Sequence, residues 1–305
     1  MKGRISILKL VELIKTNQLG EYILNESLDK YTSLNIGGNC ALMYFPNKIS
    51  SLVKVYRYLI DNNIDFYVIG NGTNLLINER YFDNVFINLK YLNNYHKMGN
   101  GIYYLSAGAS ASKVSKEISK LGYTGLEFLS VIPGTIGGVI YMNASSYDMD
   151  MSSIVEYVAY LSKEGIKLIS NKDIDFKYRY SRFQKENGII LGCIIKIKKA
   201  NFKDAPLSKI KSYFENKKNS QPIGQKNAGS TFKNNENMST WKLIDKIGYR
   251  GKISGGAMVS KKHANFIINY NNASFYDIKK LIDEIKEVTK DKLNIDLECE
   301  WQIIE

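Results

Sequence analysis

The chain has 305 residues, of which 44% are hydrophobic and 24% are charged. This length and composition predict a globular protein with two domains, or three if one domain is split into lobes. A membrane-spanning helix needs about 20 apolar residues. The longest apolar run, residues 188–198, is strand-sized and ends in lysines, which argues against a membrane span. The three cysteines, Cys40, Cys193 and Cys299, are isolated, so neither a disulfide framework nor a zinc site is indicated.

The formal net charge is +12, and lysines crowd residues 196–219. A basic segment of this kind admits an interpretation as a nucleic-acid-binding protein. No recognised nucleic-acid motif accompanies the charge, and the chain is rich in Lys, Asn, Ile and Tyr throughout. The general composition of the chain therefore explains the positive charge better than a nucleic-acid-binding function does. A positive field would also attract anionic small substrates.

The pattern along the chain predicts helices separated by strands. The first 15 residues read as an amphipathic helix and not as a signal peptide, so we expect a cytoplasmic protein. Further helices are predicted at 50–62, 110–121 and 274–293, the last with Ser274 and Asp277 forming a capping box. Strands are predicted at the β-branched and aromatic runs that begin at Val85, Ile102, Ile154 and Ile189. Strands dominate before residue 206 and alternate with helices after it, which places a domain boundary near residues 200–206.

Two glycine turns are the most informative local features. The first, VIGNGTNLLIN, contains Gly70 and Gly72, and the second lies within residues 125–144. Glycine allows close approach of the main chain, and adjacent unpaired N–H groups suit anionic oxygens. Either turn alone is explained as a tight β-turn, but the two together suggest one extended diphosphate ligand. The first turn lacks the lysine of a P-loop and the full Rossmann spacing, which argues against a kinase or a GTPase.

The two turns, with YTSLNIGGNCALMYFP at 31–46, resemble the FAD-binding domain of the vanillyl-alcohol-oxidase (PCMH) type. Three other segments resemble the UDP-N-acetylenolpyruvoylglucosamine reductase (MurB) family of peptidoglycan synthesis: YRYS at 178–181, NAGSTFKN at 227–234 and LECE at 297–300. The resemblance runs from about Tyr31 to the C-terminus. The short spacing from Arg179 to Ser230 resembles the family form that lacks an inserted tyrosine-bearing loop.

The resemblance implies an α+β fold, in which a two-lobed FAD-binding domain of PCMH type is followed by a smaller α/β substrate-binding domain. We expect the FAD-binding domain at 1–200, with lobes at about 1–90 and 91–200, and the substrate-binding domain at 201–305. The implied reaction is the NADPH-dependent reduction of UDP-N-acetylglucosamine enolpyruvate to UDP-N-acetylmuramate. We expect a monomer that binds no metal, nucleic acid or membrane.

FAD should be bound noncovalently, because neither glycine turn contains a His or a Cys. The resemblance implies that the cofactor contacts come from the two turns. The implied residues are Gly70, Asn71, Gly72, Thr73, Asn74, Leu75, Ile132, Pro133, Gly134, Thr135, Gly137, Gly138, Asn143 and Ala144.

Two of the implied catalytic residues are Ser230 and Arg179. Serine is a weak acid and can donate a proton only to a strongly basic centre, and the resemblance assigns Ser230 to the carbanionic carbon left after hydride transfer. Arg179 lies in an alternating segment, 175–183, where it is predicted to share the polar face with Lys177. Its guanidinium suits a carboxylate bidentately. Arg182 is the local competitor and is predicted to face the opposite side.

The third implied catalytic residue is Glu300, in the alternating segment IDLECEWQII. This segment predicts a half-buried strand with acids on one face, so Glu298 competes with Glu300 for the role. The family pattern selects Glu300, to assist polarisation and proton delivery. Trp301 and Gln302 depart from the Val and Arg usual at this point.

The resemblance also implies that Lys233 and Asn234 line the substrate site. Ser220 stands where relatives usually carry a Lys that contacts the diphosphate, and Lys217 and Lys218 are close enough in sequence to substitute. His263 is predicted to be a structural or rim histidine. Trp241 is predicted to be a helix residue behind Ser239 as N-cap.

Two other functions remain open at this point. A sugar or lactone oxidase of the same superfamily would explain the glycine turns but leave NAGSTFKN, YRYS and the C-terminal glutamate as coincidences. A basic nucleic-acid-binding protein predicts steeply salt-dependent binding and no chromophore.

Overall fold

The structure is a computed structural model that describes residues 2–235 and 238–305. Within these residues the α-helices are α1 Lys2–Thr16, α2 Ile49–Asp61, α3 Ala111–Lys120, α4 Ile136–Tyr141, α5 Ala205–Ser220, α6 Thr240–Lys246 and α7 Phe275–Leu293. Short 3₁₀ helices lie at Leu28–Tyr31, Glu127–Val131, Met151–Ser153, Asn171–Asp173 and Arg182–Gln184. In the described part of the chain, no helix combines the length and the hydropathy that a membrane span requires.

The strands of the described residues are mostly short. They are β1 Gly20–Ser27, β2 Asn39–Pro46, β3 Phe66–Ile69, β4 Leu75–Ile77, β5 Phe82–Asn88, β6 Tyr95–Gly99, β7 Ile102–Ser106, β8 Tyr123–Thr124, β9 Ser145–Ser146, β10 Met149–Asp150, β11 Val155–Ser162, β12 Gly165–Ser170, β13 Ile189–Lys196, β14 Lys198–Lys199, β15 Ile253–Ser254, β16 Ala257–Val259, β17 Ile267–Asn269 and β18 Gln302–Ile304. The four strands predicted from β-branched runs are present as β5, β7, β11 and β13. The four predicted helices are present as α1, α2, α3 and α7.

The chain divides into two compact units. The first unit consists of Met1–Glu26, Cys40–Gly70 and Asp83–Glu215, and the second consists of Ser27–Asn39, Asn71–Phe82 and Asn216–Glu305. Two short segments that precede residue 200 therefore group with the C-terminal part of the chain. The functional assignment of 1–200 to FAD and 201–305 to substrate stays a prediction.

The first unit is built on two sheets. One has the order β1-β2-β5-β3, in which β3 runs parallel to β5, and the other has the order β12-β11-β13-β7-β6 and is antiparallel throughout. Its core contains fully buried side chains such as Leu52, Leu105 and Phe128. Burial of each such side chain contributes about 1.5–3 kcal/mol. The second glycine turn leads into α4, whose buried residues Val139 and Ile140 belong to this core.

The second unit packs helices α6 and α7 on a small sheet of order β15-β16-β17. Strand β18 pairs in parallel with β4, with Gln302 opposite Leu75 and Ile304 opposite Ile77. Leu76, Phe275 and Trp301 lie in one buried cluster of this unit. The C-terminal strand therefore completes a sheet with a segment from the first quarter of the chain.

The three cysteines are free thiols, as the sequence predicts. Cys40 and Cys193 are buried, and Cys299 is partly buried. Burial raises the pKa of Cys40 to about 12 and also raises the pKa of Cys193 and Cys299. These thiols are therefore protonated at neutral pH and suited to packing more than to nucleophilic chemistry.

Helix α7 begins with the predicted capping box. The Ser274 hydroxyl accepts a hydrogen bond from the Asp277 amide at 3.1 Å, and the Asp277 carboxylate accepts from the Ser274 amide at 2.9 Å. The backbone bond from Ser274 and a second one from Gly256 lower the pKa of Asp277. The capping box thus satisfies the amides of Ser274 and Asp277 within the chain.

We expect Ser274→Ala to lower the free energy of unfolding by about 1 kcal/mol, because the Asp277 amide loses its acceptor. Urea unfolding measures this loss. Ser239→Ala is the matched control, because Ser239 is the N-cap of α6 and its side chain makes no capping hydrogen bond. Equal losses in the two variants would contradict the prediction.

Candidate active site

The two glycine turns meet within the first unit at Gly70 and Thr135. A Cβ placed on Gly70 would lie 2.5 Å from Thr135 Oγ1, so the close approach requires glycine at this position. The Gly70 carbonyl accepts a hydrogen bond from the Asn88 side chain at 3.2 Å. Thr135 is the N-cap of α4 and is buried. The predicted turns are therefore neighbours in space through these two residues.

Several backbone amides of the second glycine turn already donate hydrogen bonds within the first unit. Those of Ile136, Gly137 and Gly138 donate to Ala109 O, Ala107 O and Thr135 Oγ1 at 2.9, 2.8 and 3.3 Å. The amides of Gly134 and Thr135 make no hydrogen bond to any residue that the structure describes. An anionic oxygen would therefore be bound by these two amides. The FAD contacts of Gly137 and Gly138 stay a prediction, and they would not use the amides.

Asn143 is buried at the end of the second turn, with φ of +41°. Its Nδ2 donates to Asp150 Oδ2 at 3.2 Å and to the Lys177 carbonyl at 3.1 Å, and its Oδ1 accepts from the Ser152 amide at 3.1 Å. This side chain thus ties the second glycine turn to residues 177–180. A direct contact between Asn143 and FAD stays a prediction, as do those of Ile132, Pro133 and Ala144.

In the second unit, Gly72, Thr73 and Asn74 form a bend before β4. Gly72 has φ of +60°, and its carbonyl accepts from the Ser33 amide at 3.1 Å. The amides of these three consecutive residues donate to no described residue. Successive unpaired N–H groups in a left-handed bend make a concavity for anions. This loop therefore fits the diphosphate of a dinucleotide such as FAD, while the contacts of Asn71 and Leu75 stay predictions.

The prediction that Arg179 lies in an alternating strand is wrong. Lys177 and Tyr180 exchange backbone hydrogen bonds of 3.0 and 3.1 Å, so Tyr178 and Arg179 are the central pair of a tight turn. Arg179 has φ of +56°, which costs a non-glycine residue about 1–3 kcal/mol and is enriched at functional sites. The side chains therefore do not sort onto two faces.

The turn nevertheless separates Arg179 from its competitor Arg182. The Arg182 guanidinium forms an ion pair with Glu186 and donates to the Asp173 carbonyl at 2.8 Å. The Arg179 guanidinium is half-buried, donates to the Ser145 hydroxyl and lies 5.1 Å from the centre of the Tyr178 ring. The ion pair with Glu186 makes Arg182 the less suited of the two to bind an anionic substrate group.

The second unit brings Ser230 and Glu300 onto adjacent backbone segments. The Glu300 amide donates to the Thr231 carbonyl at 2.8 Å, and Phe232 pairs with Cys299 across the two segments. Ser230 and Glu300 are both half-buried. The Ser230 hydroxyl makes no hydrogen bond to any residue in the described ranges. Two of the three predicted catalytic residues therefore lie on adjacent backbone segments.

The alternation predicted around Glu300 is present, although regular strand begins only at Gln302. Leu297 and Trp301 are buried, and Glu298 is exposed. The Glu298 carboxylate forms an ion pair with Lys233. Glu298 is thus engaged by a lysine at the surface, which favours Glu300 as the acid of the site.

The two predicted substrate-binding residues have structural contacts. Lys233 pairs with Glu298, and its carbonyl accepts from the Thr240 hydroxyl at 2.6 Å. The Asn234 side chain accepts from the Thr240 amide at 3.2 Å, which caps the start of α6. Their substrate contacts stay predictions.

The lysines considered as substitutes for the family lysine lie on α5. Burial lowers the pKa of Lys217. Lys218 is exposed, and its carbonyl accepts from the Lys262 ammonium at 2.6 Å. The Ser220 hydroxyl donates to the Asn216 carbonyl at 2.8 Å, so it serves the last turn of the helix. A diphosphate contact from either lysine stays a prediction.

His263 is a half-buried residue of the second unit, and its Nδ1 accepts from the Asn265 amide at 3.3 Å. Its ring centre lies 4.8 Å from that of Phe266 and 6.3 Å from that of Trp241. Burial, with a smaller effect of Arg250, lowers the pKa of His263 below its ordinary value of 6.5. These contacts are those of a structural histidine.

Because this pKa is lower in the folded state, the unfolded chain binds the proton more tightly. The contribution of His263 to the free energy of unfolding is therefore complete above pH 6.5 and falls as the pH drops toward the folded-state pKa. We expect His263→Gln to flatten the pH dependence of urea unfolding in this window. A variant with the wild-type slope would contradict the assignment.

Two family profiles match the chain. The profile described as an FAD binding domain matches residues 40–166. The profile described as the C-terminal domain of UDP-N-acetylenolpyruvoylglucosamine reductase matches residues 221–304. Together they cover both glycine turns and the segments that carry Ser230 and Glu300.

Curated relatives and a solved structure are similar to this protein over nearly the whole chain. UDP-N-acetylenolpyruvoylglucosamine reductase of Caldanaerobacter subterraneus subsp. tengcongensis is 38% identical over 303 residues, 99% of each chain. The protein of that name from Bacillus subtilis is 31% identical over 307 residues, 97% of this chain and 98% of the relative. The crystal structure of UDP-N-acetylenolpyruvylglucosamine reductase (MurB) from Thermus caldophilus superposes with a TM-score of 0.80 at 28% identity, covering 94% of this chain and 99% of that chain.

Proposed function

The chain belongs to the UDP-N-acetylenolpyruvoylglucosamine reductase family, and on this premise we propose that it reduces UDP-N-acetylglucosamine enolpyruvate to UDP-N-acetylmuramate. NADPH is the electron donor, and the product is a precursor of peptidoglycan. The match confirms the family predicted from the segments at 178–181, 227–234 and 297–300. It also confirms the predicted α+β architecture of a PCMH-type FAD-binding domain with a family-specific C-terminal domain. The chain is accordingly an FAD-dependent oxidoreductase.

The observation that carries the proposal is the pairing of the segments that contain Ser230 and Glu300. A sugar or lactone oxidase has no need of a serine proton donor on a segment paired with one that carries a glutamate. The profile match over 221–304 favours the reductase for the same reason, since these two residues lie within it.

FAD, when bound, would supply the hydride chemistry between the nicotinamide and the methylene carbon of the enolpyruvyl group. The chain's contribution to cofactor binding comes from main-chain donors. In the second unit these are the amides of Gly72, Thr73 and Asn74, and in the first unit those of Gly134 and Thr135. Amides held by the fold need no reorganisation when they receive an anion.

Arg179 binds the carboxylate of the enolpyruvyl group. Its planar guanidinium offers parallel N–H donors to both carboxylate oxygens, which fixes the orientation of the double bond. The charge also stabilises the electron pair that moves toward the carboxylate as hydride adds to the methylene carbon. The left-handed turn at Arg179 and the side chain of Asn143 set the position of this guanidinium.

Ser230 donates the proton that completes the reduction. Its O–H bond breaks as a C–H bond forms at the carbon that bears the carboxylate, and the hydroxyl is restored by a proton from water. Glu300, on the adjacent segment, assists this proton delivery and the polarisation of the substrate. A serine can act here because the receiving carbon is strongly basic. Lys233 and Asn234 line the site for the sugar nucleotide.

The remaining assignments concern location, oligomeric state and partners. We assign the protein to the cytoplasm, because NADPH and UDP-sugars are cytoplasmic metabolites. We assign it as a monomer with a substrate-binding part at 201–305, and its partners are then the UDP-sugar and NADPH alone. Size-exclusion chromatography with light scattering tests the oligomeric state.

The function is tested by visible absorption under anaerobic conditions. A yellow protein should bleach on addition of NADPH and recover its colour only when UDP-N-acetylglucosamine enolpyruvate is added. Recovery with oxygen and no recovery with the enolpyruvyl sugar would indicate the oxidase. A protein that takes up no FAD would contradict the proposal as a whole.

A further inference from the structure

Asn265 is a buried polar residue beside the segment that carries Ser230, with a residue exposure of 3%. We propose that Asn265 is a positioning residue, which fixes the place from which the Ser230 hydroxyl delivers its proton. The inference rests on the proposed function, and it gives a role in the reaction to a residue outside the predicted catalytic set.

The position of the Ser230 hydroxyl depends on the backbone around it. The hydroxyl makes no hydrogen bond to any described residue, so no side-chain partner holds it. The preceding residue, Gly229, has φ of +80°. A glycine in this region leaves the chain before Ser230 easy to rotate. The backbone of residues 231–233 must therefore supply the rigidity.

One side of this backbone is held by the segment that carries Glu300. The bonds run from the Glu300 amide to the Thr231 carbonyl at 2.8 Å and from the Lys233 amide to the Glu298 carbonyl at 2.9 Å. These bonds flank Phe232, which faces Cys299 as a non-hydrogen-bonded antiparallel pair. In such a pair the amide and carbonyl of Phe232 point away from Cys299, toward the opposite side.

Asn265 occupies that opposite side. Its Oδ1 accepts from the Phe232 amide at 3.0 Å, and its Nδ2 donates to the Phe232 carbonyl at 2.8 Å. The Asn265 carbonyl also accepts from the Thr231 amide at 2.8 Å. The Asn265 side-chain amide thus makes the two hydrogen bonds that a neighbouring strand would otherwise make with the Phe232 amide and carbonyl. Both groups are buried, so loss of the side chain would leave a donor and an acceptor unsatisfied.

Without the Asn265 side chain, the Ser230 segment loses both bonds to Phe232 on this side and keeps only the bonds to Thr231. A displacement of about 1 Å of a reacting group can lower a rate by about 10²-fold. The effect should fall on proton delivery to the substrate. Electron transfer from NADPH does not use Ser230 and should proceed at its normal rate.

The test compares Asn265→Leu with Asn269→Leu, in the full-length protein with FAD. Asn269 is also a buried asparagine of the second unit, and its side chain also makes two hydrogen bonds to the backbone. Its Nδ2 donates to the Leu34 carbonyl at 2.8 Å, and its Oδ1 accepts from the Ala273 amide at 2.7 Å. Each variant loses two hydrogen bonds between an asparagine side chain and the backbone, but only Asn265→Leu loses them from the Ser230 segment.

Stopped-flow absorption separates the two half-reactions of each variant. We expect Asn265→Leu to be reduced by NADPH within about threefold of the wild-type rate and to be reoxidised by the enolpyruvyl UDP-sugar about 10²-fold more slowly. Asn269→Leu should stay within about threefold of the wild type in both steps. Hydrogen exchange of residues 229–233 should accelerate in Asn265→Leu and not in Asn269→Leu, which is a readout independent of activity.

If the leucine variants do not fold, Asn265→Asp is compared with Asn269→Asp to test the positioning role of Asn265. The aspartate keeps an acceptor for the Phe232 amide and loses the donor to the Phe232 carbonyl, so reoxidation should slow while reduction does not. Equal slowing of reoxidation in the two matched variants, or equal loss in both half-reactions of the Asn265 variant, would overturn the positioning role. A wild-type protein that the enolpyruvyl sugar does not reoxidise would overturn the proposed function itself.

Discussion

Ser230→Ala should bind FAD and be reduced by NADPH at the wild-type rate, yet be reoxidised by the enolpyruvyl UDP-sugar roughly 10²- to 10⁴-fold more slowly, the range expected for loss of a general acid. The reason is that the variant lacks the only group assigned to protonate the substrate carbon. The half-buried hydroxyl makes no hydrogen bond to a described residue, so its removal should leave the fold unchanged. Single-turnover absorption measurements follow each half-reaction separately.

Ser239→Ala is the matched control for this experiment. Ser239 is also half-buried and also lacks a side-chain capping bond, but it lies at the start of α6, outside the paired segments. Both half-reactions of this variant should match those of the wild type. Equal slowing of the two half-reactions in Ser230→Ala would rule out a specific role as proton donor.

Gly72→Ala should remove most of the FAD from the purified protein and lower the free energy of unfolding by about 2–5 kcal/mol. A Cβ at this position would lie 1.9 Å from the Tyr31 carbonyl oxygen and 2.8 Å from Thr32 Cα. Both neighbours are backbone atoms and cannot rotate away. The bend must therefore open, and the amides of Gly72, Thr73 and Asn74 would lose their common orientation.

Gly224→Ala separates the steric effect from the effect of the left-handed backbone. Gly224 has φ of +83°, and a Cβ there would meet no atom within 4 Å. This control should lose about 1–2 kcal/mol of stability and retain its FAD. The ratio of visible to ultraviolet absorbance reports the FAD content, and urea unfolding reports the stability. A Gly72→Ala protein with full FAD would contradict the role assigned to the bend.

Local sequence patterns predicted several of the regular elements of the fold. The capping box at Ser274 and Asp277 and the four long β-branched runs depend on neighbours within a few residues, and the structure has them where expected. The catalytic set was implied by the family resemblance and stays a prediction; the structure pairs the segments that carry Ser230 and Glu300.

Local patterns gave a wrong prediction where a short alternating segment is compatible with both a strand and a turn. DFKYRYSRF alternates like a strand, but Tyr178 and Arg179 form a tight turn whose left-handed residue is an arginine. Period-two alternation over a few residues does not distinguish the two. Lys177 contacts Asn143, which lies 34 residues away in sequence, and such a contact leaves no local signal.

The sequence alone also does not indicate which polar groups form hydrogen bonds within the fold. The amides of Gly137 and Gly138 donate within the first unit, and the side chain of Asn265 binds the backbone of Phe232. Asn265 stands directly before the apolar run Phe266–Ile268, and a polar residue at the entrance of a buried strand is the one available hint of its role. Its partner lies 33 residues away, so only the structure identifies it.

The pairing of β18 with β4 sets an order of events during synthesis. Asn74 and Glu300, which join beside these strands, are 226 residues apart along the chain. At about 5–20 residues per second, a ribosome needs roughly 10 to 45 seconds to travel this distance. For that time the apolar strand Leu75–Ile77 has emerged and waits for its partner. The second unit can therefore form only late in translation. A mutation that weakens β18 should cause aggregation of the newly made chain in cells even where the melting temperature of the purified protein is hardly lowered.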